Sequence, residues 1–412
     1  MEHRLVGHRL RQAREAVGLS QKAVANKIGV PRTAITQIEQ GNRKISTLEL
    51  SMLANLYRRG VTALLDETTT SKNEDVLVVL HRLAPSLQSD PEVNNQVEKC
   101  VDLCKVGVEL KRLIGEKTRP GHPVYEVTIP RSFGEAVVQA DKAADQERRR
   151  LGIGNAPISD IAELISNQGI WISSVELPNE MSGLFIHHHE IGDAIVVNST
   201  HPKARKRFSY AHEYAHALLD RDRDITISST ENSSELVECR ANAFAASFLM
   251  PRDGVSETLQ TLNKGLPSRQ SQIVFDVASG KSIDQEIRTP SGSQRINYKD
   301  IATLAHHFGV SYQAALYRLK SLHYINSSET KYLLPRERFG RMYLKELEMF
   351  NDLERREKPK HWNRELRREV TNLTIEAYRR EEISGGRLRE IATVLEIPGN
   401  TLDSLANAAV EG

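Results

Sequence analysis

Two histidines and a glutamate occur within five residues of this chain, in the run His212-Glu213-Tyr214-Ala215-His216. Side chains four positions apart lie on one face of an α-helix, with Cβ atoms about 5–6 Å apart, so two imidazoles can bind one metal ion there. Apolar residues at helical spacing follow the second histidine. The sequence therefore predicts a helix that presents His212 and His216 as metal ligands, with Glu213 beside them.

A further ligand must come from elsewhere, because a catalytic zinc ion usually takes three protein ligands and leaves a fourth position open. The predicted third ligand is Glu238, in a segment rich in small and apolar residues at helical spacing that ends at Pro251. Glu235, one turn earlier, is the weaker candidate. The alternative for Glu238 is an ordinary solvated carboxylate.

The residues from Phe208 to Leu219, those from Glu238 to Ala245, and the closing Leu249-Met250-Pro251 resemble the ImmA/IrrE family of zinc-peptidase-like regulators. The resemblance covers about residues 151–255 and continues more weakly to about residue 325. It implies an α+β zincin-like metallopeptidase domain with His212, His216 and Glu238 as ligands of one Zn²⁺ per chain and Glu213 as the general base. Mn²⁺ and Fe²⁺ are alternatives for a site of two imidazoles and one carboxylate.

The chemistry implied by this resemblance is hydrolysis of a peptide bond. The metal lowers the pKa of water to about 7 and polarises the carbonyl, and Glu213 accepts the proton. The transition-state oxyanion needs a donor, for which Tyr210 and the run His187-His188-His189 are both open, although a polar loop is the favoured interpretation of the three histidines. A domain that binds metal without hydrolysing peptides also remains open.

The N-terminal segment has the pattern of short helices separated by tight turns. Ser20 is placed to cap one helix and Gly29 to end it, and apolar residues recur at inward positions up to Ile38. The segment from Leu10 to Gly41 resembles the helix-turn-helix of Cro/C1-type phage repressors, and the match extends to about residue 65. We therefore expect an all-α helix-turn-helix domain over residues 1–66.

In such a domain the second helix of the motif enters the major groove and reads base edges, while other residues contact phosphates. The resemblance places against bases Arg32, Thr33, Thr36 and Gln37, and against phosphates Gln21, Asn42, Arg43 and Lys44. Residues 1–66 hold 11 Lys and Arg against 5 Asp and Glu, a net charge of +6, whereas the whole chain carries +2. A double-stranded DNA operator is the predicted partner. A protein-binding or dimerisation module is the alternative.

Composition predicts a soluble multidomain protein. A chain of 412 residues with 39% hydrophobic and 27% charged residues is longer than one core usually supports. The absence of a leader-like segment and of any apolar run near 18 residues leads us to expect a cytoplasmic protein with no membrane partner. The three cysteines do not suggest a disulfide framework, and Cys100 and Cys104 are better explained as buried thiols than as redox sensors.

The remaining chain divides by composition into further segments. Residues 67–150 are predicted as a helical connector that begins with a polar linker, and residues 151–260 as the zinc peptidase domain. Residues 261–298, rich in Ser, Gly, Lys and Asp, are expected to be a flexible insertion, with a lid, an autoinhibitory segment or a cleavage site as alternatives. Residues 299–329 resemble the helix-turn-helix-like helical segment that follows the family's peptidase core, and residues 330–412 form a charged helical C-terminal region.

Together these features predict a DNA-binding transcriptional regulator fused to a zinc-dependent metallopeptidase. The resemblance implies cleavage of a repressor or another protein substrate, or of the chain itself, to switch genes in a stress response or a mobile element. The alternative is a non-proteolytic sensor transcription factor or an antitoxin that uses the peptidase fold to sense a ligand or a metal. Cro/C1-type domains usually read paired half-sites, which favours a homodimer.

Overall fold

The computed structural model describes residues 6–7, 10–11, 13–14, 19–57, 91–116, 121–220, 225–229, 234–264, 269–276, 281–288, 293–349 and 363–411. The chain divides into two compact units, residues 1–79 and residues 80–412, which are described separately. The polar linker predicted from residue 67 lies outside the described residues. In the part that is described, no helix is both long enough and apolar enough to cross a membrane.

The first unit has the all-α architecture predicted for a helix-turn-helix. It contains α1 (Gln21–Ile28), α2 (Arg32–Glu39) and α3 (Thr47–Leu56). The Ser20 side chain caps α1 by accepting a hydrogen bond from the Ala23 N–H, and Gly29 ends the helix with a φ of 73°, a left-handed conformation that glycine adopts without a Cβ clash. One core joins the helices, formed by Leu10, Ala13, Val24, Ala25, Ile35, Ile38, Leu50, Leu53, Ala54 and Tyr57.

A buried ion pair ties the first unit together beneath α2. The Arg14 guanidinium donates two hydrogen bonds to the Glu39 carboxylate, at 2.6 and 3.1 Å, and a third to the Leu19 carbonyl at 2.8 Å. Both charged groups are almost fully enclosed. Removing one partner would leave the other charge buried and unpaired, which makes this pair important for the placement of α2.

The second unit is a mixed α+β structure, and its elements follow one another along the chain. The helices are α4 (Pro91–Leu113), α5 (Phe133–Arg150), α6 (Ile161–Ser166), α7 (Lys203–Leu219), α8 (Leu236–Leu249), α9 (Arg252–Thr261), α10 (Tyr298–Phe308), α11 (Tyr312–Ser321), α12 (Ser327–Leu333), α13 (Glu337–Glu346), α14 (Arg364–Arg379), α15 (Gly385–Val394) and α16 (Gly399–Glu411). The strands are β1 (Trp171–Val175), β2 (Met181–His188), β3 (Gly192–Asn198), β4 (Ile225–Ser229), β5 (Arg269–Asp276) and β6 (Lys281–Arg288).

A four-stranded sheet in the order β1-β3-β2-β4 forms the centre of the second unit. Strand β1 runs parallel to β3, and β2 pairs antiparallel with both β3 and β4. Helix α7 lies on β2 and β3, α8 packs against α7, and α5 packs against α8. This arrangement confirms the α+β architecture that the sequence predicted.

The opposite face of the sheet is covered by α4 and by the C-terminal helices. Alternate residues of β1 point to opposite faces: Ile172 belongs to the core beneath α7, whereas Trp171 and Ser173 face α4. Gly107 of α4 lies against the indole of Trp171, where a Cβ would overlap the ring. Helix α14 packs on both α4 and β1, and α15 and α16 pack on α14. The C-terminal region is therefore part of the layer that covers the sheet.

The cysteines of α4 lie in this second layer. Cys100 and Cys104 are buried free thiols, as the sequence predicted, and Cys239 is partly exposed. The Cys100 thiol donates a hydrogen bond to the Ser173 hydroxyl at 3.0 Å. This contact fixes α4 to β1.

The core of the second unit contains side chains from several of the segments that the sequence predicts. One continuous cluster of buried side chains runs from Ala140 of α5 to Leu333 of α12. Arg207 of α7 donates to the carbonyls of Ile158, Ser159 and Gly309, so α7 is bonded directly to the turn between α10 and α11. The segments 133–150 and 299–329 pack into the same core as the segment 151–260.

The segment 261–298, for which composition predicts a flexible insertion, contains a β-hairpin. Strands β5 and β6 form an antiparallel hairpin whose register pairs residue 269 with 288 and residue 276 with 281. The run Ile273-Val274-Phe275 favours a strand, but the surrounding Ser, Gly and Lys obscured this signal. The two ends of the segment that contains this hairpin are held together, because the Lys264 ammonium donates to the carbonyls of Ser293 and Arg295 at 2.7 and 3.0 Å.

Candidate metal centre and DNA-binding surface

The predicted metal ligands meet between α7 and α8. His212 and His216 lie one turn apart on α7, and Glu238 lies in the first turn of α8. The His212 Nε2 atom is 3.1 Å from Glu238 Oε2 and 3.3 Å from His216 Nε2, and His216 Nε2 is 3.5 Å from Glu238 Oε1. All three side chains are buried, and this is the group of potential ligands that the described residues contain. Glu235, the weaker candidate, is the exposed residue immediately before α8.

The donor set and its spacing fit a zinc ion. A tetrahedral ion with bonds of about 2.0–2.1 Å holds neighbouring ligand atoms about 3.3–3.4 Å apart. The three separations above lie close to this value, and two imidazoles with one carboxylate form a common donor set for catalytic zinc. The ligands therefore need little rearrangement to enclose Zn²⁺.

A further set of polar side chains orients the ligand imidazoles. Asn242 Oδ1 lies 3.0 Å from His212 Nδ1, and Asp220 Oδ2 lies 2.9 Å from His216 Nδ1. Both contacts favour the tautomer with the proton on Nδ1, which directs the Nε2 lone pair toward the other ligands. The guanidinium of Arg240 donates to Asp220 Oδ1 at 2.5 Å and to the Thr128 carbonyl at 3.2 Å. Arg240 thereby anchors the carboxylate that orients His216.

The electrostatics of His216 follow from its enclosed position. Burial lowers the pKa of the His216 imidazole, but the hydrogen bond with Asp220 and the carboxylates of Glu213 and Glu238 raise it by more, so the pKa lies above its ordinary value. Negative charge around the imidazole stabilises a cation at this point. A divalent ion would benefit from the same field.

Glu213 is fully buried beside the ligand group, facing strand β2. A Cβ at Gly183 would come within 2.7 Å of Glu213 Oε1 and 3.0 Å of the Val196 carbonyl, so glycine provides the space that the carboxylate occupies. Neither carboxylate oxygen has a hydrogen-bond partner among the described residues. Burial raises the pKa of Glu213, against the effect of His212, His216 and the Ser228 hydroxyl. A desolvated carboxylate beside the ligand group is suited to accept a proton.

The candidates for the oxyanion donor lie in other environments. Tyr210 is buried in the core, and burial raises its pKa well above the ordinary value, with a further contribution from Glu365. Two residues before His212, it projects from a different face of α7 toward Ser174. His187 is bonded to Asp193, whose other carboxylate oxygen bonds His122. These residues form separate clusters outside the ligand group.

The first unit exposes most of the residues predicted to contact DNA. Arg32, Thr33 and Gln37 are exposed on α2. Thr36 is half-buried, and its hydroxyl donates to Gln21 Oε1 at 3.1 Å. The Gln21 amide in turn donates to Glu39 at 2.8 Å, so this side chain already links α1 to α2.

The residues after α2 are exposed as well. Asn42, Arg43 and Lys44 form the turn before α3. The Arg43 guanidinium donates to Glu49 at 2.8 Å, and Glu49 also accepts hydrogen bonds from the backbone and hydroxyl of Ser46. Lys44 therefore presents a charge to solvent, whereas the charge of Arg43 is partly balanced.

Comparison with known protein families gives matches at both units. Residues 165–271 match the family described as the IrrE N-terminal-like domain, and residues 10–64 match a family described as helix-turn-helix. The chain carries both domains. The IrrE N-terminal-like match contains β1 to β4, α7, α8 and all four residues of the candidate centre, and the helix-turn-helix match contains α1, α2 and α3.

Further comparisons give a match to a curated relative and an alignment with a solved structure. The Radiation response metalloprotease IrrE of Deinococcus radiodurans is 27% identical over 151 residues, which are 35% of this chain and 44% of that protein. The chain therefore spans less than half the length of this relative. A crystal structure of ComR from Streptococcus suis aligns with 99% of this chain and 94% of its own at 10% identity, with a TM-score of 0.16, a value too low to establish a shared fold.

Sequence reasoning did not find Asn242, Asp220, Arg240 or Gly183. The signal for Asp220 was its position four residues after His216, at the end of the same helix. Arg240 and Asn242 follow Glu238 on α8 at intervals of two residues, and nothing in the sequence distinguishes them from ordinary helix residues. Their roles depend on how α7 packs against α8.

Proposed function

We propose that this chain is a cytoplasmic DNA-binding transcriptional regulator whose IrrE N-terminal-like domain is a zinc-dependent metallopeptidase. It would cleave a repressor, or the chain itself, and so switch gene expression. The observation that carries this proposal is the buried group of His212, His216 and Glu238 with the desolvated Glu213 beside it. The name of the relative, a radiation response metalloprotease, supports a role in a stress response.

The residues of the centre have distinct roles in the proposed hydrolysis. Zn²⁺ bound by His212, His216 and Glu238 would supply a Lewis acid that polarises the substrate carbonyl. Glu213 accepts a proton from the attacking water as the water oxygen bonds to the carbonyl carbon, and returns the proton to the amine nitrogen as the peptide C–N bond breaks. Asn242 and Asp220 hold the two imidazoles in the orientation that the ligands require.

Metal content is the first test of this proposal. The full chain is purified under metal-limited conditions and then supplied with zinc. Elemental analysis should give about one Zn²⁺ per chain. His212→Ala and Glu238→Ala should each lower this ratio markedly, because two ligands hold zinc more weakly than three. His307→Ala is the matched control, since it removes an exposed histidine from α10. A parent protein that binds no zinc, manganese or iron would refute the metallopeptidase assignment.

Hydrolysis is tested with Glu213→Gln, which keeps the size of the side chain and removes the base. We expect the parent to cleave itself or a co-encoded repressor, and the variant to cleave neither while it retains metal and DNA binding. Cleavage products are identified by mass spectrometry. Equal cleavage by parent and variant would contradict the role of Glu213.

The DNA-binding role is tested on the exposed face of α2. Arg32→Ala should weaken binding to the chain's own operator by about 5- to 150-fold, the effect of losing one base contact of about 1–3 kcal/mol. Lys27→Ala, which removes an equal charge at the end of α1, is the control and should have a smaller effect that is independent of sequence. Unchanged specific affinity for Arg32→Ala would remove the base-reading role of α2.

The second candidate is a non-proteolytic sensor transcription factor or antitoxin, and the burial of the centre favours it. Glu213 and His216 are 0% exposed and His212 is 6% exposed, so the centre presents little surface to a protein substrate. A sensor would need the metal but not the base. Normal gene regulation in a strain carrying Glu213→Gln, together with loss of regulation for His212→Ala, would select this function.

A further inference from the structure

Strand β4 places a hydroxyl beside the carboxylate of the candidate general base. Ser228 is paired in register with Gly183, and Gly183 is the residue against which Glu213 Oε1 lies. Ser228 is 2% exposed and Glu213 is 0% exposed. The Ser228 hydroxyl and both Glu213 oxygens have no atom within hydrogen-bonding distance and angle among the described residues.

A buried donor and a buried acceptor in this arrangement favour a bond to each other. A hydroxyl hydrogen rotates freely about its C–O bond, and an ionised carboxylate accepts hydrogen bonds at either oxygen. Each group left unsatisfied in the interior costs the full desolvation penalty, whereas a bond to a charged acceptor is among the stronger protein hydrogen bonds.

We propose that Ser228 is a positioning residue for Glu213, whose carboxylate it holds by donating a hydrogen bond to one oxygen. The other oxygen then remains directed toward the substrate water. This inference rests on the proposed peptidase function. It assigns to β4 a part in the orientation of the base, in addition to its place in the sheet.

The backbone of β4 is held in place at Ser228, which keeps the Ser228 hydroxyl in a constant position relative to Glu213. The Ser182 hydroxyl donates to the Ser228 carbonyl at 3.3 Å, and Gly183 has no side chain that would separate β4 from Glu213. Thr226 provides a comparison on the same strand. It is also buried with no partner for its hydroxyl among the described residues, but it pairs with Phe185, two residues further along β2.

Three variants of the full, zinc-loaded chain test the proposal. Ser228→Ala should lower kcat for peptide cleavage about tenfold, the value of one hydrogen bond to a charged group, with KM and zinc content unchanged. Ser228→Thr keeps the hydroxyl and should restore most of kcat. Thr226→Val, which removes the neighbouring hydroxyl without changing the shape, should match the parent. A purely structural role of Ser228 would not produce a kcat effect that threonine reverses.

A second readout does not depend on knowing the natural substrate. A peptide hydroxamate chelates the metal and hydrogen-bonds the adjacent carboxylate, so its Kd reports the position of Glu213. We expect weaker hydroxamate binding for Ser228→Ala, by about tenfold, and for Glu213→Gln, and parent-like binding for Ser228→Thr and Thr226→Val.

The outcomes separate the inference from the function on which it rests. A zinc-loaded parent that cleaves no peptide refutes the proposed hydrolysis, and the hydroxamate series then decides whether Ser228 positions Glu213. Parent-like kcat and Kd in Ser228→Ala overturn the positioning role. Loss of zinc in Ser228→Ala, or an equal defect in Thr226→Val, overturns it as well, because either result indicates a general disturbance of β4.

Discussion

Replacing Asp220 with asparagine should weaken zinc binding while preserving all three ligands. The two oxygens of Asp220 accept hydrogen bonds from different donors, His216 Nδ1 at 2.9 Å and Arg240 Nη2 at 2.5 Å. An asparagine side chain has one accepting oxygen and presents N–H groups on the other side, so it cannot satisfy both donors. Loss of an orienting partner of this kind typically costs 10- to 100-fold in metal affinity, which is about 1.4–2.8 kcal/mol.

The stability of the metal-free protein should fall as well. Arg240 is 2% exposed, and without the charge of Asp220 it retains the Thr128 carbonyl and the amide oxygen of Gln139 as acceptors. Breaking a buried ion pair costs about 3–5 kcal/mol when no partner remains, so we expect a loss near the lower end, about 3 kcal/mol. Urea unfolding of the chelated protein measures this loss, and competition with a chromophoric chelator measures the zinc Kd.

The control for this prediction is Asp300→Asn. Asp300 is similarly buried, caps α10 by accepting from the Asn297 N–H, and pairs with Lys264. The Asp300→Asn substitution should destabilise the second unit without changing the zinc Kd. Equal zinc affinity in Asp220→Asn and the parent would refute the orienting role, and so would an equal loss of affinity in Asp300→Asn.

Three further substitutions probe other parts of the chain. Gly183→Ala places a methyl group 2.7 Å from Glu213 Oε1, which is about 0.7 Å closer than an ordinary contact. The rate of peptide cleavage should therefore fall by at least tenfold while the zinc content is retained, and an unchanged kcat would contradict this. Gly107→Ala forces α4 away from Trp171 and should cost about 1–3 kcal/mol in urea unfolding without affecting zinc binding. Arg14→Met leaves Glu39 buried with Gln21 as its remaining hydrogen-bond partner among the described residues. Calorimetry should show a destabilised first unit, with weaker operator binding and parent-like zinc content.

The candidate ligands could be predicted because their spacing is local. His212 and His216 are four residues apart, and the helix that brings them together is apparent from the apolar residues around them. Glu238 required a second helix, and the small residues that follow it indicated one. The helix-turn-helix was equally accessible, since Ser20 and Gly29 mark the ends of α1 through their own backbone preferences.

The rest of the centre could not be predicted because it depends on contacts between distant elements. Gly183 gains its role only when β2 lies beneath Glu213, and Ser228 only when β4 pairs with β2. Tyr210 is a candidate oxyanion donor because it lies two residues before His212 in the sequence, but its position on α7 directs its side chain into the core. The β5–β6 hairpin was missed because its apolar residues are few and lie among polar ones.

The segment that contains the β5–β6 hairpin is a suitable insertion point for foreign sequence, because its two ends are held close together. Lys264 joins the carbonyls of Ser293 and Arg295, so the chain leaves and re-enters the second unit at nearly the same place. The entropy of closing a loop rises only slowly with its length, and each doubling costs about 0.6 kcal/mol. A fluorescent protein or a protease recognition sequence grafted between residues 265 and 292 would therefore report on the second unit without altering the fold that supports the candidate metal centre.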